Sequence, residues 1–480
     1  MDKRYNISLD CAMESSHQHP DQPTEPAVVI VGNVVTPTGS LPDGAIAIDG
    51  NGRISWVGPA KHAPRAAREF DYRGRWVLPG GVDAHVHSGS HAVWTEGFPR
   101  LTALAATGGV TTVIDMPYDD PEPVVSILDV SRKIQRIESE AHVDVGLFGT
   151  VPKGMGAGNI VDLGAAGVCG IKISTYETHP IRFPSIPDHQ ITTVFLAASA
   201  AGLPVAVHAE NDSIVRHLID ELKGSRRLDP LAHAHSRPPV TETTAVASLL
   251  ELAWAVTGRL HLVHLSSPRS VELLSRHRAE GSRVSCETCI HYLVLDESDL
   301  ERHGGFAKCN PPLRSSADQQ GLWRQLLAGE IDFVTSDHAP WPDALKSSPD
   351  IFENKSGLPG VHLLVPLLFS SGVMDRGLAI EEFVRLTSSS PAQAYGLYPR
   401  KGALAVGSDG DVVVIDQSEE WVIEPGLHDF ATRTPYDGMP VRGKVAATFL
   451  RGGLVFDGKR VCGTPSGTFV RPSVAEEGHL

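Results

Sequence analysis

The sequence predicts an α/β protein, a TIM-like (β/α)8 barrel carrying a small β-sandwich domain built from both chain ends. Three observations lead there. Short apolar strands alternate with helical patterns through residues 79–400, which implies βα units and a parallel sheet. Strand-and-turn segments lie on either side, at 27–78 and 401–470. Between them, Val77-Leu78-Pro79-Gly80-Gly81-Val82-Asp83-Ala84-His85-Val86-His87 ends an apolar run in two histidines spaced i, i+2. On a strand these point to one side, and a barrel keeps its chemistry at the C-terminal ends of its strands.

The elements follow in order. Residues 1–26 are polar and mixed in charge, lack the apolar core of a signal peptide, and are expected to form a flexible extension. Ala27-Val28-Val29-Ile30-Val31 reads as a strand, Leu41-Pro42-Asp43-Gly44 as a turn, and Ala45-Ile46-Ala47-Ile48 as a second strand. Asp49-Gly50-Asn51-Gly52 is a hairpin signal before Arg53-Ile54-Ser55-Trp56-Val57. In the middle, Thr111–Ile114 precedes a helix over Val124–Glu138. Further strands are expected at Val143–Leu147, Gly170–Ile173, Val205–Val207, Leu260–Val263, Arg283–Cys286 and Phe333–Thr335. A doubly wound sheet is the alternative, but no phosphate-binding glycine fingerprint follows an early strand. Asp411–Ile415 and Ala447–Leu450 are strands of the second flanking segment, and 471–480 reads as a tail.

Composition narrows the function. The 480 residues are 41% hydrophobic and 21% charged, ordinary for a globular protein. The net charge of −15, from 42 basic and 57 acidic residues, argues against nucleic acid. No apolar run approaches the ~20 residues that span a bilayer. The six cysteines show no framework spacing, which predicts reduced thiols and a cytoplasmic location.

Polar residues recur where the central strands end: His85 and His87, Lys172, His208, His264 and Asp337. One strand-end histidine is usually structural, whereas four in register with a lysine and an aspartate suit a metal pair. Lysine is rarely buried unpaired. A snorkelling ammonium is the plain reading of Lys172, and a lysine carboxylated by CO2, anionic and able to bridge two cations, is the functional one. His233-Ala234-His235 repeats the spacing but follows a polar helix end and turn, so it is not taken as a ligand pair. Cys286-Glu287-Thr288-Cys289 lacks a second cysteine pair and is not read as a zinc site.

These residues, in this order, resemble the cyclic amidohydrolases of the amidohydrolase superfamily: dihydropyrimidinase, hydantoinase, allantoinase and dihydroorotase. The resemblance covers about residues 27–470. It rests on Gly80–His87, on Gly170-Ile171-Lys172, and on Ser336-Asp337-His338. Cys286–Tyr292, Lys308-Cys309-Asn310-Pro311-Pro312-Leu313-Arg314 and Pro435–Val441 look closest to the allantoinase and hydantoinase branches. It implies that His85, His87 and Asp337 hold one divalent ion, that His208 and His264 hold a second, and that carboxylated Lys172 bridges them. Imidazole and carboxylate ligands suit zinc, with manganese or cobalt as substitutes. Asp337 would be the catalytic general base and then acid for a hydroxide held between the ions. Tyr118, Tyr176, Thr288, Asn310 and Ser356 would contact the substrate, a small cyclic amide, and the chain would form a homo-oligomer, a dimer or tetramer.

Some positions depart from the pattern. Dihydroorotases usually carry arginine two residues after the second histidine and asparagine after a Met-Pro, where this chain has Gly89 and Tyr118. Dihydropyrimidinases usually place a tyrosine five residues beyond the carboxylated lysine, and Tyr176 lies four beyond. Ser356 and His362 stand where hydantoinases tend to have asparagine and Glu or Gln. The resemblance therefore implies ring-amide hydrolysis with unusual pocket walls. Two alternatives are weighed against it. A dihydropyrimidinase-related interaction protein would lack the ligand set, and a single-metal deaminase would lack Lys172.

Overall fold

The computed structural model describes residues 26–89, 96–426 and 431–473. The expected N-terminal extension (save Pro26), the tail beyond Ser473, and His91 and Trp94 lie outside the described residues.

The chain opens with β1 (Val28–Thr36), β2 (Gly39–Ile48), β3 (Ile54–Pro59) and β4 (Arg68–Pro79). Alternation sets their two faces. Val28, Ile30 and Val34 pack with Ile46, Ile48 and Phe449, while Val29 packs with Ala45 and Ala47 on the other side. The Asp49–Gly52 hairpin forms as expected: the Asp49 carboxylate accepts the backbone N–H groups of Asn51 and Arg53. The turn expected at Leu41–Gly44 is instead inside β2. The reversal falls earlier, between Thr36 and Gly39, where Gly39 takes φ 124°. Leu41–Gly44 is absorbed as an irregularity, opposite a shift in the β1 register between Gly32 and Val34.

Eight parallel strands follow: β5 (Gly81–Val86), β6 (Val110–Asp115), β7 (Asp144–Gly149), β8 (Gly170–Ser174), β9 (Val205–His208), β10 (Leu260–Leu262), β11 (Val284–Cys289) and β12 (Phe333–Thr335). They neighbour one another in chain order. A bridge from Val86 to His338 closes the ring, with the His87 N–H donating to the His338 carbonyl at 2.9 Å. Helices cover the outside. Ser126 caps Ile127–Glu140 by accepting from the Asp129 N–H, and Asn211 caps Asp212–Gly224 in the same way. Inside, Ile114, Phe148, Ala206, Val263, Phe333 and Tyr395 form an apolar plug. The barrel is thus packed in its interior and functional only at its mouth.

The chain then returns through β13 (Val412–Val422), β14 (Pro440–Leu450) and β15 (Gly453–Phe456) to the first sheet. The two chain ends combine in one seven-stranded sheet, ordered β15-β14-β13-β4-β1-β2-β3. A buried ion network fastens it to the barrel. The Lys401 ammonium pairs with Asp144 of β7, with Asp409 at 2.8 Å and with Asp411 at 2.7 Å, and Arg451 joins Asp144. The three carboxylates would suit a cation, but the ammonium already sits among them. Among the described residues no helix is long and apolar enough to cross a membrane.

Candidate active site

The histidine pair depends on a flaw in a strand. Val82 and Ala84 pack in the barrel interior, so strict alternation would send His85 and His87 outward. The β5–β6 register shifts between Asp83 and Val86, and Val86 packs in the outer core instead. The shift reverses the phase and turns both imidazoles into the mouth. Lys172 needs no such device: Ile171 and Ile173 face the outer core, and Lys172 points inward between them. His208 ends β9. His264 and Asp337 lie two residues past β10 and β12, in left-handed backbone with φ 42° and 46°. That conformation is costly for residues with a Cβ and clusters at functional sites.

These six side chains converge. His85 Nε2 and His87 Nε2 lie 3.2 and 3.3 Å from the same Asp337 oxygen, Oδ1. His208 Nδ1 and His264 Nε2 face each other at 2.8 Å. Lys172 is 1% exposed, and among the described residues no carboxylate pairs with its ammonium. Burial, the largest influence, brings that amine down to about 8. Burial likewise pulls His85, His208 and His264 below the usual imidazole value. Asp337 goes the other way. Burial opposes its ionisation, but His85 and His87 outweigh it and hold the carboxyl well below the usual range.

Behind the imidazoles stands a row of carboxylates that orients them. His85 Nδ1 donates to Glu287 Oε1 at 2.6 Å, and His208 Nε2 donates to Glu210 Oε2 at 2.7 Å. Each bond commits one ring nitrogen as donor and leaves the other's lone pair facing the mouth. Glu287 also accepts from His261 Nε2 and Thr335 Oγ1, both at 3.1 Å. Burial works against its charge, yet His85 and His261 hold the carboxyl at about 2. Glu210 is held low by Arg237 and His208. His338 donates from Nε2 to Glu96 at 2.7 Å and accepts the Gly360 N–H on Nδ1 at 2.9 Å. The donor set fits a pair of divalent cations: four imidazoles, two of them held from behind by carboxylates, a low-lying Asp337 carboxyl, and a buried amine that feels Glu287 and Asp337 but forms no ion pair among the described residues.

A cavity of about 400 Å³ opens over this cluster. Tyr118, Tyr176, Asn310 and Ser356 all line it. Tyr118 is buried and stacks on Phe183 with centroids 3.7 Å apart, forming a flat wall. Tyr176 carries the Arg237 guanidinium over its ring at 4.3 Å. Ser356 Oγ donates to Asn310 Oδ1 at 3.2 Å. Thr288 is the exception. Its hydroxyl donates to the Leu265 carbonyl at 2.8 Å, and it is not among the cavity-lining residues. His233-Ala234-His235 is helical, as its context implied, but His233 lines the cavity and bonds the Cys309 carbonyl at 2.8 Å.

Sequence reasoning missed Glu287, Glu210 and Glu96. Glu287 sits in Cys286-Glu287-Thr288-Cys289, where attention went to the cysteines. Its signal was a glutamate within a predicted barrel strand, fully buried here. Glu210 lies two residues after His208, again on the histidine's own side.

Comparison with known proteins places this geometry. The Amidohydrolase family profile matches residues 76–455. An allantoinase of Rubrobacter xylanophilus is 38% identical over 425 residues, 88% of this chain and 93% of its own length. An allantoinase of Deinococcus radiodurans is 37% identical over 412 residues, 85% of this chain and 91% of its own. Among solved structures, the L-hydantoinase (dihydropyrimidinase) of Arthrobacter aurescens superposes with a TM-score of 0.87 at 30% identity, covering 93% of this chain and all of that one.

Proposed function

Since the chain belongs to the amidohydrolase family, we propose that it opens the ring of a neutral cyclic ureide of the allantoin type, by hydrolysis of one C–N bond. It is a cyclic amidohydrolase. The observation that carries the reading is the convergence of His85, His87, Lys172, His208, His264 and Asp337 under one cavity, with Glu287 and Glu210 fixing two of the imidazoles.

In this reading His85, His87 and Asp337 would hold one divalent ion, His208 and His264 would hold a second, and Lys172, as a carbamate, would supply an anionic ligand to the pair. The donor types favour zinc over harder cations. Bound there, the pair supplies Lewis acidity and a nucleophilic water at neutral pH. The residues do the rest. The Lys172 amine, lowered by burial, attacks CO2 through its lone pair. A new N–C bond forms as one C=O π bond opens. Two protons leave to water, one from the ammonium before attack and one from the nitrogen after it, so that an anion replaces a cation beside the imidazoles. Asp337 takes a proton from the attacking water on a carboxylate oxygen and delivers it to the departing ring nitrogen. The Tyr118–Phe183 stack offers a face for a flat ring. The Asn310 amide accepts from Ser356, which leaves its N–H groups for a ring carbonyl.

The walls disfavour a ring bearing a carboxylate. At Gly89 a side chain would run into the Asp119 carboxylate, so the position of the missing arginine is held by the opposite charge. Arg100 is exposed and is not among the cavity-lining residues. The basic residues that do line the cavity are engaged elsewhere: Arg237 with Glu210, Arg182 with Asp120, Lys308 with the Ile351 and Asn354 carbonyls, and Lys223 and Lys355 over the Phe352 and Trp341 rings. A carboxylate left unpaired in a dry pocket is costly. The likeness to the L-hydantoinase keeps hydantoins as a second substrate class.

The test is a ring-opening panel of allantoin, substituted hydantoins, dihydrouracil and dihydroorotate, with metal analysis of protein never exposed to chelator. Turnover of allantoin or a hydantoin far above dihydroorotate, with about two divalent ions per chain, is expected. Dihydroorotate as the preferred substrate, or one ion or none, refutes the reading. Light scattering on the same sample tests the proposed homo-oligomer.

A further inference from the structure

Beside the six side chains lies a second donor set. Cys289 ends β11, and His291 follows two residues later in the short helix Ile290–Val294. Asp337 follows β12, which pairs with β11 through Cys289 and Thr335. The pairing brings Cys289 Sγ, a His291 ring nitrogen and an Asp337 oxygen within 4.8 Å of one another. Among the described residues neither ring nitrogen of His291 meets a partner with hydrogen-bond geometry, although the ring is 0% exposed. Orphaned polar atoms at full burial are rare and demand a cause. The Ser336 carbonyl lies near the same ring. It can orient one nitrogen as donor and leave the other's lone pair for a ligand. Cys289 has only a long contact, 3.5 Å, to Thr335 Oγ1.

We propose that Cys289, His291 and Asp337 form an inhibitory site for a soft divalent cation, such as cadmium or excess zinc, separate from the two ion positions above. The proposal rests on the reading of Asp337 as ligand and proton carrier. Thiolate, imidazole and carboxylate together select zinc-like and softer ions over magnesium or calcium. On binding, the Cys289 S–H bond breaks, its proton goes to bulk water, and a metal–sulfur bond forms. His291 binds through an existing lone pair, and Asp337 lends an oxygen. An Asp337 so engaged no longer carries a proton between water and leaving group, so occupancy inhibits. Cys289 and His291 are fully buried and are not among the cavity-lining residues, whereas Asp337 is. The ion must pass Asp337 to arrive, and inhibition sets in slowly.

The experiment uses cadmium alone as probe on the full chain, in a Cys11→Ser, Cys462→Ser background that removes the thiols lying outside the described residues or near the surface. The two positions proposed above contain no sulfur, so an ultraviolet cadmium–thiolate band reports this site only. The expected result is such a band on binding about one equivalent beyond the first two, together with slow-onset loss of activity. Cys289→Ser abolishes both, and His291→Gln weakens binding at least roughly tenfold. Absence of a band, its survival in Cys289→Ser, or unchanged affinity in His291→Gln overturns the proposal. Should either variant fail to fold, cadmium-edge X-ray absorption of the background protein decides the matter: a shell without sulfur overturns it. Fewer than two sulfur-free ions with the thiolate band intact would sink the binuclear reading and leave this site standing.

Discussion

Glu287→Gln removes one charge and little else. Three donors point at the Glu287 carboxylate: His85 Nδ1 at 2.6 Å, His261 Nε2 at 3.1 Å and Thr335 Oγ1 at 3.1 Å. Glutamine keeps the shape and one acceptor oxygen. If that oxygen stays with His85 and Thr335, the amide NH2 meets His261, which can answer by changing tautomer because its other nitrogen bonds a hydroxyl, Ser285 Oγ at 2.8 Å. Steric disruption is therefore small, and what is lost is the charge assistance on the His85 bond. A hydrogen bond to a charged group is worth about 1.5–3 kcal/mol and a neutral one about 0.5–1.5. The difference, about 1–1.5 kcal/mol, is roughly tenfold in affinity for the ion that His85 holds. Glu287→Ala releases both imidazoles and lowers affinity further, toward roughly a hundredfold, the upper range for such outer carboxylates. Competition with a zinc chelator of known affinity measures this directly. Affinity in Glu287→Gln within about twofold of the parent would show that Glu287 does not tune the ligand, and the orienting role assigned to it would fail.

Three further outcomes are expected. Lys172→Ala loses metal and activity together, and short carboxylic acids restore part of both by supplying the bridging anion; full activity without them would falsify the bridge. Asp337→Asn preserves shape but carries no proton, so kcat falls by about 10²–10⁴-fold, and a rate within tenfold of the parent with both ions retained removes the shuttle. Lys401→Met strands buried Asp411 without its cation, while Asp144 keeps Arg451 and Asp409 keeps Arg53 and Arg400, and destabilises the fold by about 3–5 kcal/mol. Desolvated carboxylates have raised pKa values in the folded state, so this variant's folded state binds more protons than its unfolded state. Its deficit therefore shrinks as pH falls, and urea midpoints at pH 8 and pH 5.5 that show the opposite trend would contradict the assignment.

Much of the fold was legible because a parallel barrel writes its strands as short apolar runs. Phe333–Thr335 and Gly170–Ile173 stand within one residue of where they were expected. The metal-type residues were legible because each ends such a run. The β2 turn was misplaced because Leu41-Pro42-Asp43-Gly44 has the composition of a turn, and only the pairing of β1 with β2 decides that it is an irregularity. The side chain of Thr288 turns from the cavity to the Leu265 carbonyl for a related reason. A strand shows one face to the mouth and another to its neighbours, and composition does not say which side a threonine takes. Glu287 was missed because sequence spacing does not reveal a partner some 200 residues away, such as His85, whereas Glu210 stands only two residues from His208 and was within reach of sequence reasoning.

The same contrast explains where specificity resides. The metal-type side chains are fixed by strand ends, by a register shift in β5 and by buried carboxylates, a scaffold indifferent to the ring being opened. The walls come from loops: Tyr118 after β6, Tyr176 and Phe183 after β8, Asn310 and Ser356 from segments flanking β12. The floor dictates attack on an amide carbonyl by water. The walls decide whether the ring lies flat against Tyr118 and whether a carboxylate is tolerated beside Asp119. On the proposed reading, a change of substrate among neutral ureides would need only loop substitutions. On the same reading, admission of dihydroorotate would need a free cation near the ring, and position 89 is closed to it as it stands, because a side chain there meets the Asp119 carboxylate that Lys133 holds.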